Sequence, residues 1–483
     1  MLKKIKTIIF VLIGLYLLFA VGFGIIPYAI PKEVSEEMKP QFDVNRFYGA
    51  DEQGVDRLTL AESPQSGFDS RIRLIREAQT SIDLVCHCVK DGITSEQIFA
   101  ELLDAADRGV QVRVVLDGKV GGLSGSRKGI AYALSAHPNV QYRVYNPFCF
   151  YKPWEWNALL HDKILIGDDR VMILGGRNIG DAYFAPEGYT GKVTNDRDVV
   201  VYNTTASGAE QSGDSVLSDA KAYFNEIWSC EAVKEPFPTL SESQKQKADE
   251  TAAELKEVRA ALMTARPELY GGEPYDYANS TVPAKQLTLI HNPLNAGPKE
   301  PWVGVQLANL GLTAKESVTM QSPYCTANKR LLSVMKSMAA TLPEVILQTN
   351  SVASSPNYPA FSNYIENRKK FIDTGITIRE LQSEDSIHGK SFLMDGRLSA
   401  VGSFNLDDRS MYIDTEAMLV IDSPEFYEQL KAAMDSYGNQ SLTVSSDNSY
   451  EENADVTPLE VPWWKRTLMW LASLISRPFQ FLI

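Results

Sequence analysis

Two stretches, HDKILIGD at residues 161–168 and HGKSFLMD at residues 388–395, decide how this 483-residue chain is understood. Each spells His-x-Lys-x-x-x-x-Asp. Each is followed by a glycine-led turn that carries an asparagine: Gly175-Gly176-Arg177-Asn178 after the first, Gly402-Ser403-Phe404-Asn405 after the second. In both copies the asparagine follows the histidine by 17 residues, and the copies stand 227 residues apart. One His-x-Lys triplet arises by chance in a long chain. Two complete copies with every spacing kept point to a site duplicated within the chain.

The residue types define a chemistry. Alternation along an extended strand puts His161 and Lys163 on one face, and likewise His388 with Lys390. The runs that follow (Ile164, Leu165, Ile166; Phe392, Leu393, Met394) are apolar, as in strands buried on both faces. Asp168-Asp169 and Asp395-Gly396 supply turns into second strands, residues 171–174 and 398–401, which bring Asn178 and Asn405 beside the His-Lys pairs. An ammonium and an amide placed together are donors suited to two oxygens of one phosphate. Two histidines and two carboxylates could also hold zinc. A lysine beside each histidine repels a divalent cation, so no metal or other cofactor is expected. A decayed repeat kept as a scaffold is disfavoured by the presence of every His, Lys and Asn in both copies.

The pattern resembles the phospholipase D superfamily of phosphodiesterases and phosphatidyltransferases over residues 60–440. GGRNIGDAYF at residues 175–184 and GSFNLDDRSMYIDTE at residues 402–416 are similar to the corresponding strings of bacterial cardiolipin synthases. The resemblance implies an α/β fold of two phospholipase D-like half-domains, each a mixed sheet flanked by helices, related by pseudo-twofold symmetry. It also implies one site between them. One imidazole attacks phosphorus to form a phosphohistidine, and the other protonates the leaving alcohol and then activates the acceptor. By that analogy His161 is the nucleophile and His388 the acid and base, an assignment the near-symmetric sequence leaves open. Lys163, Lys390, Asn178 and Asn405 would hold the phosphoryl oxygens. A carboxylate downstream of each turn is expected to orient an imidazole: Glu416 in TEAMLVI, and Asp198 in DRDVVVY as its counterpart. The motif residues Asp168 and Asp395 belong to the same set but rank second as orienting groups, being expected to cap the strand turns. Ser403 offers a hydroxyl where the first half has Gly176.

In each half a strand, a helix and a strand precede the motif: residues 81–89, 95–108 and 110–116, then 317–321, 328–340 and 345–349. The organisation expected is a transmembrane signal anchor (1–31), a linker (32–59), half-domains at 60–235 and 284–440 around a helical insert (236–283), an acidic tether (441–459) and an amphipathic membrane segment (460–483). Lys3, Lys4 and Lys6 precede an uncharged run at residues 7–30, 24 residues long and enough to cross a hydrocarbon core of about 30 Å. The flanking lysines place that end in the cytoplasm and the catalytic body outside the cell membrane. Trp463, Trp464, Lys465 and Arg466 open an apolar, aromatic run of the kind that lies at a membrane interface. Residues 241–262 look like a solvated, mixed-charge helix.

The implied function is a membrane-anchored phosphatidyltransferase that makes cardiolipin from phosphatidylglycerol and a second phospholipid, with phosphatidylethanolamine as one candidate partner lipid. The alternative is a phospholipase D hydrolase releasing phosphatidic acid; a nuclease or a silent lipid-binding scaffold ranks lower. The formal charge of −14 disfavours a nucleic-acid partner. An anionic lipid would meet instead the local field of Lys163, Lys390 and Arg177. Among the remaining histidines, His87 stands at the end of the first strand and is expected to be an ordinary strand residue that could line the pocket. His137 and His291 look non-functional. The five cysteines form no disulfide framework, and a pairing such as Cys149–Cys230 stays open.

Overall fold

The computed structural model describes residues 2–205 and 215–483. Runs of Val, Ile and Leu such as KILIG, VMILG and DVVVYN make strands covered on both faces, where branched side chains pack well on a pleated surface. The first half contributes β1 (Asp56–Ala61), β2 (Ser81–Cys86), β3 (Gln111–Asp117), β4 (Val140–Tyr145), β5 (Lys163–Gly167), β6 (Val171–Gly175) and β7 (Asp198–Asn203). The second contributes β8 (Gln286–His291), β9 (Ser317–Gln321), β10 (Glu344–Asn350), β11 (Thr377–Leu381), β12 (Ser391–Met394), β13 (Leu398–Gly402) and β14 (Ala417–Asp422).

The two sheets repeat one another strand for strand. The first runs β1-β7-β6-β5-β2-β3-β4 and the second β8-β14-β13-β12-β9-β10-β11, with short edge strands added. In each, the three strands at one side are parallel and joined through helices, while the motif hairpin and its neighbours are antiparallel. This is the α/β duplication the motifs implied. Helices such as Pro64–Glu77 and Ile93–Asp107 cover the outer face of the first sheet. The inner faces meet in a shared core that includes Ile164, Ile166, Met172, Val199 and Val201 from one half and Leu393, Val401, Leu419 and Ile421 from the other. At about 1.5–3 kcal/mol for each fully buried aliphatic side chain, this layer alone holds the halves in one arrangement.

Some expectations change. β1 begins at Asp56, inside the span expected to be linker, and pairs along its length with β7. β1, β4 and β11 were not anticipated, and they complete the sheets together with β8, whose last residue is His291. The helix Glu242–Ala265 begins on a Ser241/Gln244 capping box and is not solvated all round. Ala248, Thr251, Leu255 and Leu262 are buried, because they form one stripe against the helices Ile93–Asp107 and Lys128–Ala136. In the acidic segment, Tyr450 sits under Arg368 and donates its hydroxyl to buried Glu380. All five cysteines are free, Cys149 and Cys230 included. Among the described residues one helix is long and apolar enough to cross a membrane, spanning Lys3–Ala29 and lying almost wholly exposed.

Candidate active site

The hairpin turn sets each half-site. Asp168 and Asp169 take positive φ (53° and 54°), as do Asp395 and Gly396 (53° and 64°). Asp tolerates this conformation better than most residues. The Asp168 carboxylate accepts from the backbone N–H groups of Gln79, Thr80 and Ser81, and Asp395 accepts from those of Lys315, Glu316 and Ser317. Burial raises the Asp168 pKa, but these donors outweigh it and leave the carboxyl below its ordinary value. The motif aspartates therefore pin each hairpin to the start of the neighbouring strand, at the end of the hairpin remote from the histidines.

Lys163 and Ser391 open strands β5 and β12, so both histidines lie just ahead of their strands rather than within them. These extended lead-ins cross to the other half. Leu160 bridges Thr415, and the Thr415 amide donates to the Leu159 carbonyl at 3.0 Å. Ser386–Ile387 pairs in parallel with Thr194–Asn195, and the His388 amide donates to the Asn195 carbonyl at 2.6 Å. Each histidine is thereby delivered to a carboxylate of the opposite half. His161 Nδ1 lies 2.9 and 3.0 Å from the two oxygens of Glu416, and His388 Nδ1 lies 2.5 Å from Asp196 Oδ2. Ser403 donates its hydroxyl to Glu416.

Asp198 is not the orienting group. In the sheet Gly175 pairs with Asp198 and Gly402 with Met418. The counterpart of Asp198 is therefore Met418, and the counterpart of Glu416 is Asp196. The Asp198 side chain turns into the half-domain, where Arg71 binds it at 2.7 and 3.1 Å and Arg177 Nε at 3.0 Å. Arg177 likewise turns into the half-domain, its other nitrogens donating to the carbonyls of Ala61, Glu62, Ser63 and Tyr183, and it reaches the site only through its charge on Asp196. Asp196 stands close enough to explain Gly176. A Cβ there would lie 2.2 Å from Asp196 Oδ1, so the serine found at position 403 has no room in the first half.

Lys163 and Lys390 fold back so that each Nζ donates to the carbonyl of its own histidine. Both lysines are buried, as are Asn178 and Asn405. Asn178 Nδ2 lies 3.1 Å from the Tyr183 hydroxyl, and the Oδ1 atoms of both asparagines are buried without a hydrogen-bond partner. With the amide of Asn178 turned over, Oδ1 accepts from Tyr183 and Nδ2 becomes a free donor. Two residues were undervalued in the sequence. The His87 ring stands edge-on to His161 at 4.7 Å between centroids, its Nδ1 held 2.8 Å from the Leu160 carbonyl, and the Tyr183 ring stands edge-on to His388 at 5.5 Å. Tyr183 lay in the quoted string GGRNIGDAYF, five residues after Asn178. His137 and His291 lie elsewhere, His137 beside Asp107 and His291 stacked on Tyr223.

The electrostatics follow from burial beside two ammonium groups. Burial, then Lys163, His87, Lys390 and His388, hold the His161 pKa well below the ordinary value. Burial and Lys390 bring His388 down to about 4, partly opposed by Asp196. Lys390 itself is brought down to about 8 by burial. Asp196 is buried, yet Lys390 and His388 keep its carboxyl below the usual range. Both imidazoles are thus neutral near pH 7. Each Nδ1 faces a carboxyl group of the other half, Glu416 being pushed well up by burial, and Lys390 Nζ also lies 2.6 Å from His388 Nδ1 and 3.3 Å from its Nε2. Among the described residues no group of three or more His, Cys, Asp and Glu is placed to hold a metal ion. What the arrangement offers is two imidazoles and two lysines near enough for their charges to act on one another.

Known proteins share this architecture. Residues 72–228 and 312–437 match the family described as cardiolipin synthase, PLD-like domain. An uncharacterized protein of Helicobacter pylori strain J99 is 28% identical over 415 residues, covering 78% of this chain and 79% of that protein. Cardiolipin synthase C of Escherichia coli K12 is 26% identical over 397 residues, covering 75% of this chain and 80% of its own length. Among solved structures, the phosphatidylserine synthase of Haemophilus influenzae superposes with a TM-score of 0.62 at 14% identity, over 92% of this chain and 99% of that one, a likeness of fold.

Proposed function

The chain belongs to the cardiolipin synthase, PLD-like domain family, and from that premise we propose that it is a membrane-anchored phosphatidyltransferase that joins two phospholipids into cardiolipin. The observation that carries the reading is the crossed site: each histidine sets Nδ1 against a carboxyl group of the other half while a lysine Nζ lies beside it. Neither half is a complete site, and together they surround one phosphodiester.

His161 Nε2 attacks the phosphorus of phosphatidylglycerol, the P–O bond to the headgroup glycerol breaks, and His388 supplies the proton that glycerol takes away. The anion, on entering, raises both imidazole pKa values. In this reading His388, set against Asp196, is the one that carries the proton. A hydroxyl of a second phosphatidylglycerol then gives its proton to His388 and displaces His161, forming cardiolipin. Lys163, Lys390, Asn178 and Asn405 hold the phosphoryl oxygens, so no divalent ion is needed and turnover survives chelators. The apolar helix holds the body at the membrane, with the three lysines before it on the cytoplasmic side.

The test is product analysis. The full chain in phosphatidylglycerol vesicles, with and without phosphatidylethanolamine, forms cardiolipin as its main product. Mostly phosphatidic acid would mean that water is the acceptor and the enzyme a hydrolase. Cleavage of oligonucleotides with every phospholipid untouched would move it to the nuclease branch.

A further inference from the structure

The loop that leads from β4 to His161 carries four large aromatics on its surface: Phe148, Phe150 and Tyr151 are each 60% or more exposed, and Trp154 is 39% exposed. An exposed cluster of this size normally marks a surface that meets another phase or partner. The loop is fastened along the apolar helix at three levels. Asn157 Nδ2 donates to the Gly24 carbonyl at 2.6 Å, the Tyr28 hydroxyl donates to the Trp154 carbonyl at 2.6 Å, and the Tyr16 hydroxyl donates to the Phe150 carbonyl at 2.7 Å. Phe19 and Phe23 both pack against the Trp154 ring at 6.4 Å.

These fastenings fix a depth. The helix joins the body at its Gly24 end, and Tyr16 lies eight residues further out. At about 1.5 Å per residue that is about 12 Å along the axis, close to half of a hydrocarbon core of about 30 Å. If Gly24 lies at the surface of the bilayer, Phe150 cannot stay in water. The loop's base is rigid, because Lys119 Nζ and Asn146 Nδ2 each donate to the carbonyls of both Glu155 and Ala158, at 2.7–2.9 Å. Four residues beyond Trp156 the chain bridges Thr415 and delivers His161 to Glu416. The C-terminal segment converges on the same place: Arg409 donates to the carbonyls of both Asn157 and Leu482.

We infer that residues 148–154 are an aromatic wedge that enters the bilayer leaflet facing the catalytic body and sets the height of the cleft above the headgroups. Its occupant is lipid, and it gives the proposed transferase a route by which bilayer substrate reaches His161 without leaving the membrane. The inference rests on the membrane-anchored reading but can fail separately from it.

Two arms test it on the full chain reconstituted in phosphatidylglycerol and phosphatidylethanolamine vesicles. In the first, Phe150 is replaced by the photocrosslinker benzoylphenylalanine, with the same probe at exposed Met263 on the helix Glu242–Ala265 as control. Irradiation is expected to give a phospholipid-sized mass adduct at 150 and none at 263. A crosslink to another polypeptide, or no lipid adduct, overturns the wedge whatever the enzyme's reaction. In the second, Phe148→Ser with Phe150→Ser lowers turnover of bilayer phosphatidylglycerol about tenfold, the equivalent of about 1.4 kcal/mol of lost membrane contact. Turnover of a monomeric short-chain phosphatidylglycerol changes less than about twofold, since the loop's base and the site are untouched. Equal loss on both substrates would make the loop structural. If neither lipid is turned over by the unaltered chain, the functional reading fails while the crosslinking arm still decides the wedge.

Discussion

The two half-sites have the same seven-strand order and the same motif spacing, yet they differ at the positions around the histidines. The first half lends Asp196 to His388, and the second lends Glu416 to His161. Glu416 is steadied by the Ser403 hydroxyl, while the first half has Gly176 there because Asp196 fills the space. The bridges of Val89 with Ile179 and of Cys325 with Leu406 align His87 with Pro323, so the ring that stands against His161 has no equivalent at His388. His388 instead meets Tyr183. The difference teaches that duplication supplied the frame and that the exchange of carboxylates across the interface made the halves interdependent. With each histidine set against the other half, the two surroundings differ, and the proposed division into nucleophile and proton carrier rests on that difference.

The largest expected effect comes from removing either ring. His161→Ala and His388→Ala each lower turnover by about 100-fold to 10,000-fold, the usual worth of a positioned proton-transfer or nucleophilic group. The comparison is sharpened with a donor bearing a good leaving group. His388→Ala still permits attack, so labelled phosphatidyl accumulates on His161 and is located by peptide mapping. Label on His388 in His161→Ala, with none on His161 in the converse variant, would reverse the roles.

Next come the carboxylates. Asp196→Asn and Glu416→Gln each cost about 100-fold in kcat, because the imidazole loses the partner that fixes its tautomer and steadies its cation. Asp198→Asn separates the two aspartates of the first half. It loosens the buried contact with Arg71 and Arg177, lowers stability by about 3 kcal/mol and leaves the pH profile of the remaining activity unchanged. A shifted pH profile in Asp198→Asn, with none in Asp196→Asn, would break the assignment.

The serine and glycine can be exchanged. Ser403→Gly removes one hydrogen bond to a buried carboxylate and lowers kcat about tenfold. Gly176→Ser does more harm, since its Cβ displaces Asp196 from His388. Equal effects would mean that the first half has room the structure does not give it. The motif aspartates act on stability: Asp168→Asn and Asp395→Asn each cost about 1–3 kcal/mol on thermal or chemical unfolding, with kcat per folded molecule nearly unchanged.

The smallest effect is on pH. His388 is held near 4 and His161 is also depressed, whereas in the unfolded chain both titrate near 6.5. Between these values the unfolded state binds more protons, so stability is full above pH 6.5 and is lost as pH falls toward 4. Unfolding of the full chain at pH 7.5 and 5.5 is expected to differ by about 1 kcal/mol per histidine, reduced in His388→Asn. A pH dependence left unchanged in His388→Asn would contradict a neutral His388 in the resting site, since the buried carboxyls raised to about 6, Asp117 and Asp408, act with the opposite sign and are common to both chains.

Much of this was present in the amino-acid sequence. The repeated His-x-Lys, the Asp at its end and the Asn that follows were legible because they depend on spacing within one hairpin. The apolar strands and the long apolar helix were legible because periodicity and length are local. The outer strands β1 and, apart from its His291 end, β8 were not. They pair with β7 and β14 far along the chain, and nothing within six residues marks such a partner.

The same division holds in the site. Local covalent order determined by itself that two His-Lys-Asn sets exist and that their aspartates close the turns. Which carboxylate serves which imidazole depended on the register of β6 against β7 and on lead-ins that cross between halves. Asp198 is a plausible partner two residues from the true one, and only the pairing of Gly175 with Asp198 sends its side chain to Arg71 and leaves Asp196 for His388. Tertiary structure decided this because a hydrogen bond is won by the atom within about 3 Å, and a displacement of two residues along a strand is about 7 Å.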